Sequence, residues 1–286
     1  MTQIHESAPN PQFVRWNWID LTGTWRFRYD DENIGLRSTW WSEDFDSESL
    51  EITVPLPPES TLSGIGDPSF HPVVWYQRIL PAIPDSADER TLIRFGAVDY
   101  EASVWIDDVP VGSHRGGSSP FVIDVSTDWL RSLQEPRLTL RVFDDPMDLE
   151  QPRGKQAWTE DPAGIWYKRT TGIWQPVWIE FVPSVFITHL NWVFHETEAT
   201  LHLNVELNRT PTEPIHLNAT VVAPNGRKAV VEIEMKERLS SGKVDLSPLG
   251  TLVELLWSPQ SPTLLSTRVT TSTGDEVDGY IGLRTV

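Results

Sequence analysis

Across residues 199–208, apolar and polar side chains alternate without a break. Leu201, Leu203, Val205 and Leu207 fall on one face, and Thr200, His202, Asn204, Glu206 and Asn208 on the other. Period two marks a half-buried strand. Burying four such side chains contributes roughly 6–12 kcal/mol gross, at ~1.5–3 kcal/mol each, so packing alone accounts for the stripe. Ile215, Leu217, Ala219 and Val221 repeat the pattern, and Pro224-Asn225-Gly226 then turns the chain into a further strand over 230–235. Strands of this length over about 100 residues fit an immunoglobulin-like sandwich.

The first part of the chain also reads as β. Residues 73–80, 91–98, 102–106 and 137–143 are short runs rich in β-branched and aromatic side chains, and Pro84-Asp85, Gly112, Gly116-Gly117 and Asp144-Asp145-Pro146 separate them. The segment ASVWIDDVPVGSH predicts a hairpin turning at Asp107-Asp108, a pair that tolerates positive φ. One helical turn is expected over 127–133. Many short strands over about 180 residues predict a two-sheet sandwich such as a jelly roll. The chain changes character near Pro183-Ser184, because only Trp192 and Trp257 of its 14 tryptophans lie beyond that point. The expected domains are therefore 1–184, a jelly-roll β-sandwich, and 185–286, an immunoglobulin-like β-sandwich, in an all-β chain.

Composition narrows the chemistry. A chain of 286 residues with 39% hydrophobic and 22% charged side chains builds a sizeable core without staples. It has no cysteine, which removes disulfides, zinc-thiolate sites and thiol catalysis; no metal or cofactor is expected. The net charge of −18 argues against nucleic acid and against an anionic membrane surface as partners. The opening MTQIHESAPNPQ lacks a basic region followed by an apolar run, so no signal peptide is expected and a cytoplasmic setting fits. No apolar stretch approaches the length of a membrane helix. Sequons at Asn208 and Asn218 matter only in a secretory pathway.

Residues 165–180, IWYKRTTGIWQPVWIE, concentrate three tryptophans, a tyrosine and two cations. Indole faces cover the C–H face of a sugar while Arg, Lys and Gln bond its hydroxyls, so the stretch suits a carbohydrate site. It equally suits a core strand with an aromatic corner.

Ordered matches along the chain carry a family resemblance. LTGTWRFRYD (21–30), VPLPPES (54–60), VWYQRIL (74–80), RFGAVDYEASVWIDDVPVGSHRGGSSPF (94–121), TTGIWQPVWIE (170–180) and LWSPQSPTLLSTRVTTSTGDEVDGYIGLRTV (256–286) resemble successive signatures of glycoside hydrolase family 2. That group comprises β-galactosidases, β-glucuronidases and β-mannosidases. The resemblance implies a jelly-roll sugar-binding domain, then an immunoglobulin-like domain, then a catalytic (β/α)₈ barrel beginning just after a strand that matches YIGLRTV, where this sequence ends. It also implies two barrel glutamates for a retaining mechanism, the acid/base in an Asn-Glu dipeptide. No Asn-Glu occurs here, so the chain is expected to be inactive alone. Glu160-Asp161 and Asp144-Asp145 read as solvated turn carboxylates rather than a catalytic pair. His71 and His114 read as lone loop histidines, and Ser118-Ser119 does not form a nucleophile elbow.

In the family, a jelly-roll loop reaches the barrel pocket, and an Asp six residues before the closing-strand glycine contacts the sugar in many members. Counting back from Gly172 gives Trp166 here, with Asp161 the nearest carboxylate. The upstream loop QPRGKQAWTEDPAG adds Arg153, Lys155 and Gln156 as donors and Trp158 as a stacking face. The same cations also suit neutralisation of Asp144, Asp145, Asp148 and Glu150. Arg78 and Arg169 read as strand residues bonded to carboxylates, and Asp99 and Tyr100 as structural. The expected role is the non-catalytic portion of a β-glycosidase, contributing a loop to the substrate pocket, packing on the barrel and forming a homo-oligomer. The alternatives are an autonomous carbohydrate-binding module and a structural or oligomerisation module.

Overall fold

The structure, a computed structural model, describes residues 8–45 and 49–284. It is all-β, with two antiparallel sandwiches in compact units. One unit spans 18–181; in the other, residues 182–284 are joined by the N-terminal segment 8–17.

The first unit contains β1 (Trp18–Asp20), β2 (Gly23–Tyr29), β3 (Leu50–Val54), β4 (Val73–Ile79), β5 (Arg90–Phe95), β6 (Val98–Asp99), β7 (Glu101–Ile106), β8 (Val109–Arg115), β9 (Phe121–Ser126), β10 (Arg137–Phe143), β11 (Gly172–Ile173) and β12 (Val177–Val182). They form a six-stranded sheet in the order β3-β2-β4-β10-β7-β8, a four-stranded sheet in the order β1-β12-β5-β9, and a short β6-β11 pair. Trp25, Phe27, Tyr76 and Leu140 from the larger sheet meet Ile93, Phe95 and Ile179 from the smaller in one core. β4 alternates less than a half-buried strand does, because both faces of the larger sheet are covered. Its Trp75 packs with Phe45, Trp40, Trp41 and Trp105 on the outer face and donates its indole N–H to Asp30 at 2.9 Å. The predicted hairpin is β7-β8, with Asp107 at φ 49°. The predicted helical turn is α1 (Thr127–Ser132), where Ser126 accepts from the Trp129 N–H. Arg78 departs from expectation: it donates to the carbonyls of Leu21 and Thr22, which lie within its reach.

The second unit contains β13 (Ile187–His195), β14 (Thr200–Leu207), β15 (Ile215–Val222), β16 (Lys228–Met235), β17 (Leu239–Asp245), β18 (Leu265–Thr271) and β19 (Glu276–Ile281). Its sheets run β13-β14-β17 and β16-β15-β18-β19. The four apolar positions of β14 are all buried, as the alternation predicts. A short helix, α2 (Leu252–Leu255), opens on a Thr251/Glu254 capping box that the sequence reading passed over. Residues 8–17 belong to this unit rather than to the first, where the expected boundary leaves them. The reason is Arg15, which is buried against Asp275 at 2.8 Å and donates to the Ile187 carbonyl at 2.5 Å, beside a β-bridge from Val14 to Asp278. Among the described residues, no helix is long and apolar enough to cross a membrane.

Candidate functional site

All six residues singled out by sequence lie on the long loop 144–171 between β10 and β11 of the first unit. A loop of this length without a strand or helix of its own is uncommon outside functional segments. Backbone bonds within it run from Ala157 N–H to Tyr167 O and from Tyr167 N–H to Lys155 O, closing a narrow tongue. Its outer edge is aromatic. Trp158 and Trp166 meet edge to face at 4.8 Å, and the Arg153 guanidinium sits 4.8 Å from the Trp158 ring. Both indoles keep more than a third of their surface exposed, at 38% and 36%. Ile165 and Tyr167 beside them are more open still. Exposed indole faces beside a cation suit a sugar, whose C–H face stacks on an aromatic ring while its oxygens take the hydrogen bonds.

Arg153, Trp158 and Trp166 thus come together. Lys155 and Asp161 are exposed on the same tongue, and Arg153 also donates to the Pro146 carbonyl at 3.2 Å. Gln156 turns inward. Its amide N–H donates to Asp99 at 2.7 Å and its carbonyl accepts from the Thr170 N–H at 2.9 Å, so it ties the tongue to β6.

Beneath the tongue lies a buried polar network that sequence reasoning missed. Asp144, expected as a solvated turn residue, is 1% exposed. It accepts from Arg169 at 2.5 Å, Gln151 at 2.6 Å and the Thr171 hydroxyl at 3.0 Å. The cation that neutralises it is therefore Arg169, which lies in the loop rather than in a strand. Glu59, in the turn after β3, accepts from the Thr171 N–H at 3.2 Å. Burial pushes the Glu59 carboxyl up to about 7, against the hydrogen bonds from Thr171 and the charge of Arg169. Asp99 is raised to about 6 by burial and by Asp144, against hydrogen bonds from Gln156 and Thr170. Gly117 permits this packing: a Cβ there would stand 2.0 Å from Asp99 Oδ1. The signals for this network were three carboxylates and an arginine scattered over 59–169, which no local spacing links. Glu160 and Asp161 are exposed, as expected of turn carboxylates. His71 stacks on Tyr29 at 3.7 Å between Asp31 and Asp67, and His114 stacks on Phe121 at 4.5 Å. Among the described residues, no three His, Cys, Asp or Glu side chains are grouped to hold a metal ion.

Residues 19–179 match the family described as glycosyl hydrolases family 2, sugar binding domain. Curated relatives include a β-glucuronidase of Paenibacillus borealis, 29% identical over 37% of this chain and 18% of its own. The β-glucuronidase of Sus scrofa is 24% identical over 73% of this chain and 35% of its own, and the β-galactosidase of Clostridium acetobutylicum is 24% identical over 86% and 28%. The fold is shared with a Ruminococcus gnavus β-glucuronidase, at a TM-score of 0.69 and 17% identity over 98% of this chain and 46% of that one. A second structure from that organism, in complex with D-glucuronic acid, superposes with a TM-score of 0.67. The chain spans a third or less of the length of most of these curated relatives and under half of the structural ones. With the profile covering more than half of its residues, the chain belongs to glycosyl hydrolase family 2 through that family's sugar-binding domain.

Proposed function

We propose that this chain is a non-catalytic portion of a family 2 β-glycosidase, and that the edge formed by Arg153, Trp158 and Trp166 is one wall of the substrate pocket. The observation that carries the reading is this exposed aromatic pair beside a guanidinium, held on a long loop whose root is fixed by buried hydrogen bonds. Recognition residues on loops positioned by a rigid sandwich are a common arrangement. In this reading one of the two indoles, Trp158 or Trp166, stacks on the sugar and the other borders it, Arg153 and Lys155 bond its hydroxyls or a carboxylate, and Asp161 accepts a hydrogen bond from a hydroxyl. The opposite wall and both catalytic glutamates belong to a (β/α)₈ barrel on which the chain packs. The relatives' names put a β-glucuronide first among the candidate substrates, and the two cations suit an anionic sugar. The same reading gives the protein a cytoplasmic setting and homo-oligomeric assembly, the latter measurable by light scattering.

Two measurements test it. A clean preparation of this chain releases no aglycone from aryl β-glucuronides, β-galactosides or β-mannosides; turnover would overturn the assignment. Titration with D-glucuronic acid, followed by amide chemical shifts, perturbs 151–168 and is abolished by Trp158→Ala. Shifts confined to other segments, or none at millimolar sugar, would remove the loop from the pocket. The exposed indoles also support the second reading, an autonomous carbohydrate-binding module, which predicts saturation at micromolar sugar.

A further inference from the structure

The root of the tongue brings together carboxyl groups from three separate segments. Asp144 follows β10, Asp99 ends β6, and Glu59 lies in the turn after β3. Arg169 is bonded to Asp144, and its positive charge also acts on Asp99 and Glu59. Around Glu59 stand Glu160 and Lys168, with Pro68, Phe70 and Thr159 lining a small cleft, while the phenols of Tyr29 and Tyr76 approach from the core. Gln156, Thr170 and Thr171 supply the hydrogen bonds, and all three belong to the tongue.

The charge balance of this root changes with protonation. With Glu59 and Asp99 neutral, the Asp144–Arg169 pair is balanced. With both ionised, the buried Asp99 and Asp144 and the half-buried Glu59 crowd one guanidinium, and their repulsion falls on the contacts that hold the tongue. Opening returns the carboxyls to water, where they ionise freely. Protons therefore favour the closed tongue, and alkali favours the open one.

We propose that Glu59, Asp99 and Asp144 around Arg169 form a proton-operated latch, which holds the aromatic tongue on the sandwich in mild acid and loosens it in mild alkali. That this governs sugar recognition rests on the pocket reading above; the latch itself does not. Burial places the charge change of Glu59 near 7 and that of Asp99 near 6 in the closed tongue, so the balance shifts as pH rises from about 4 and levels off above about 7.

The test is amide hydrogen exchange on the full chain without sugar, corrected for the intrinsic pH dependence of exchange. Protection over 151–168 falls at least about tenfold from pH 5 to pH 8, the change that one pKa unit of coupling produces, while β4 and β10 hold theirs. The double variant Glu59→Gln, Asp99→Asn, checked for native circular dichroism, loses the pH dependence. Equal protection at both pH values in the wild type would overturn the latch, as would an unchanged pH response in the folded double variant. Should that variant not fold, carboxyl carbon shifts of the wild type decide: the latch fails if neither Glu59 nor Asp99 titrates between pH 5 and 8. A chain whose tongue loosens yet binds no D-glucuronic acid keeps the latch and loses the pocket. A chain that binds the sugar with pH-independent protection does the reverse.

Discussion

Asp144 and Arg169 are the pair on which the tongue depends most directly. Asp144 is 1% exposed and Arg169 9%, and the carboxylate's remaining capacity is filled by Gln151 and Thr171. Removing one partner of such a pair leaves a buried charge without its counterion, which costs about 3–5 kcal/mol. Asp144→Ala should lower the unfolding free energy by that amount, whereas Asp144→Leu with Arg169→Met should recover most of the loss. Denaturation of the two variants beside the wild type checks this, and equal losses in both would show that packing rather than charge is at stake. Trp158 offers a contrast. Its indole is 38% exposed and touches Arg153 and Trp166. Trp158→Ala should therefore change stability by about 1 kcal/mol or less, in the range of an exposed cation–π contact, so its effect on sugar titration reports recognition rather than unfolding.

The short strand β11 exists because residue 172 is glycine. Gly172 adopts φ +80°, and a Cβ there would stand 2.1 Å from the Tyr76 hydroxyl. Gly226, in the β15-β16 turn, adopts a similar φ of +85° with nothing within 4 Å of the same atom. Alanine at 226 meets only the backbone penalty, about 1–2 kcal/mol, whereas alanine at 172 adds overpacking of roughly 1–3 kcal/mol more. Thermal melting should rank Gly172→Ala below Gly226→Ala; the reverse order would mean that the β6-β11 pair yields freely. The same elements mark what is legible in the chain. β14 and β15 follow from period two alone, because one sheet face is buried and the other wet. The central strand β4 opens on an apolar run over 73–76 because Trp75 is covered from outside. The tongue has no period, and only its aromatic residues announce it. Asp144, Asp99 and Glu59 resemble turn or edge carboxylates locally, and apart from Gln151 their partners in the network lie 25 to 112 residues away. The attachment of residues 8–17 is hidden for the same reason, since Arg15 finds Asp275 at a separation of 260 residues.

With 41 acidic against 23 basic side chains, the whole molecule repels itself at neutral pH. That repulsion weakens as carboxylates begin to protonate, and salt screens it, with a Debye length of about 3 Å at 1 M. The buried root of the tongue adds a second contribution of the same sign. Glu59 and Asp99 have folded-state values of about 7 and about 6, above the ordinary carboxyl range. The folded state then binds more protons than the unfolded one between about pH 4 and 7, so stability is fully present below that window and declines as pH rises through it. The carboxylates held below their ordinary values, Asp67, Glu198, Glu234, Asp245 and Glu254, act only in more acidic solution and leave the window to the buried pair. The two contributions separate by screening, because bulk salt screens the surface charges far more than the buried Asp99 and the half-buried Glu59. Urea unfolding of the full chain at pH 5.5 and pH 8 should show greater stability at pH 5.5 in dilute buffer. In 1 M sodium chloride the gap should narrow without closing, and the residue of it should be smaller in Glu59→Gln. A gap that vanishes in salt would assign the whole pH response to the surface and leave the buried carboxyls without a measurable share.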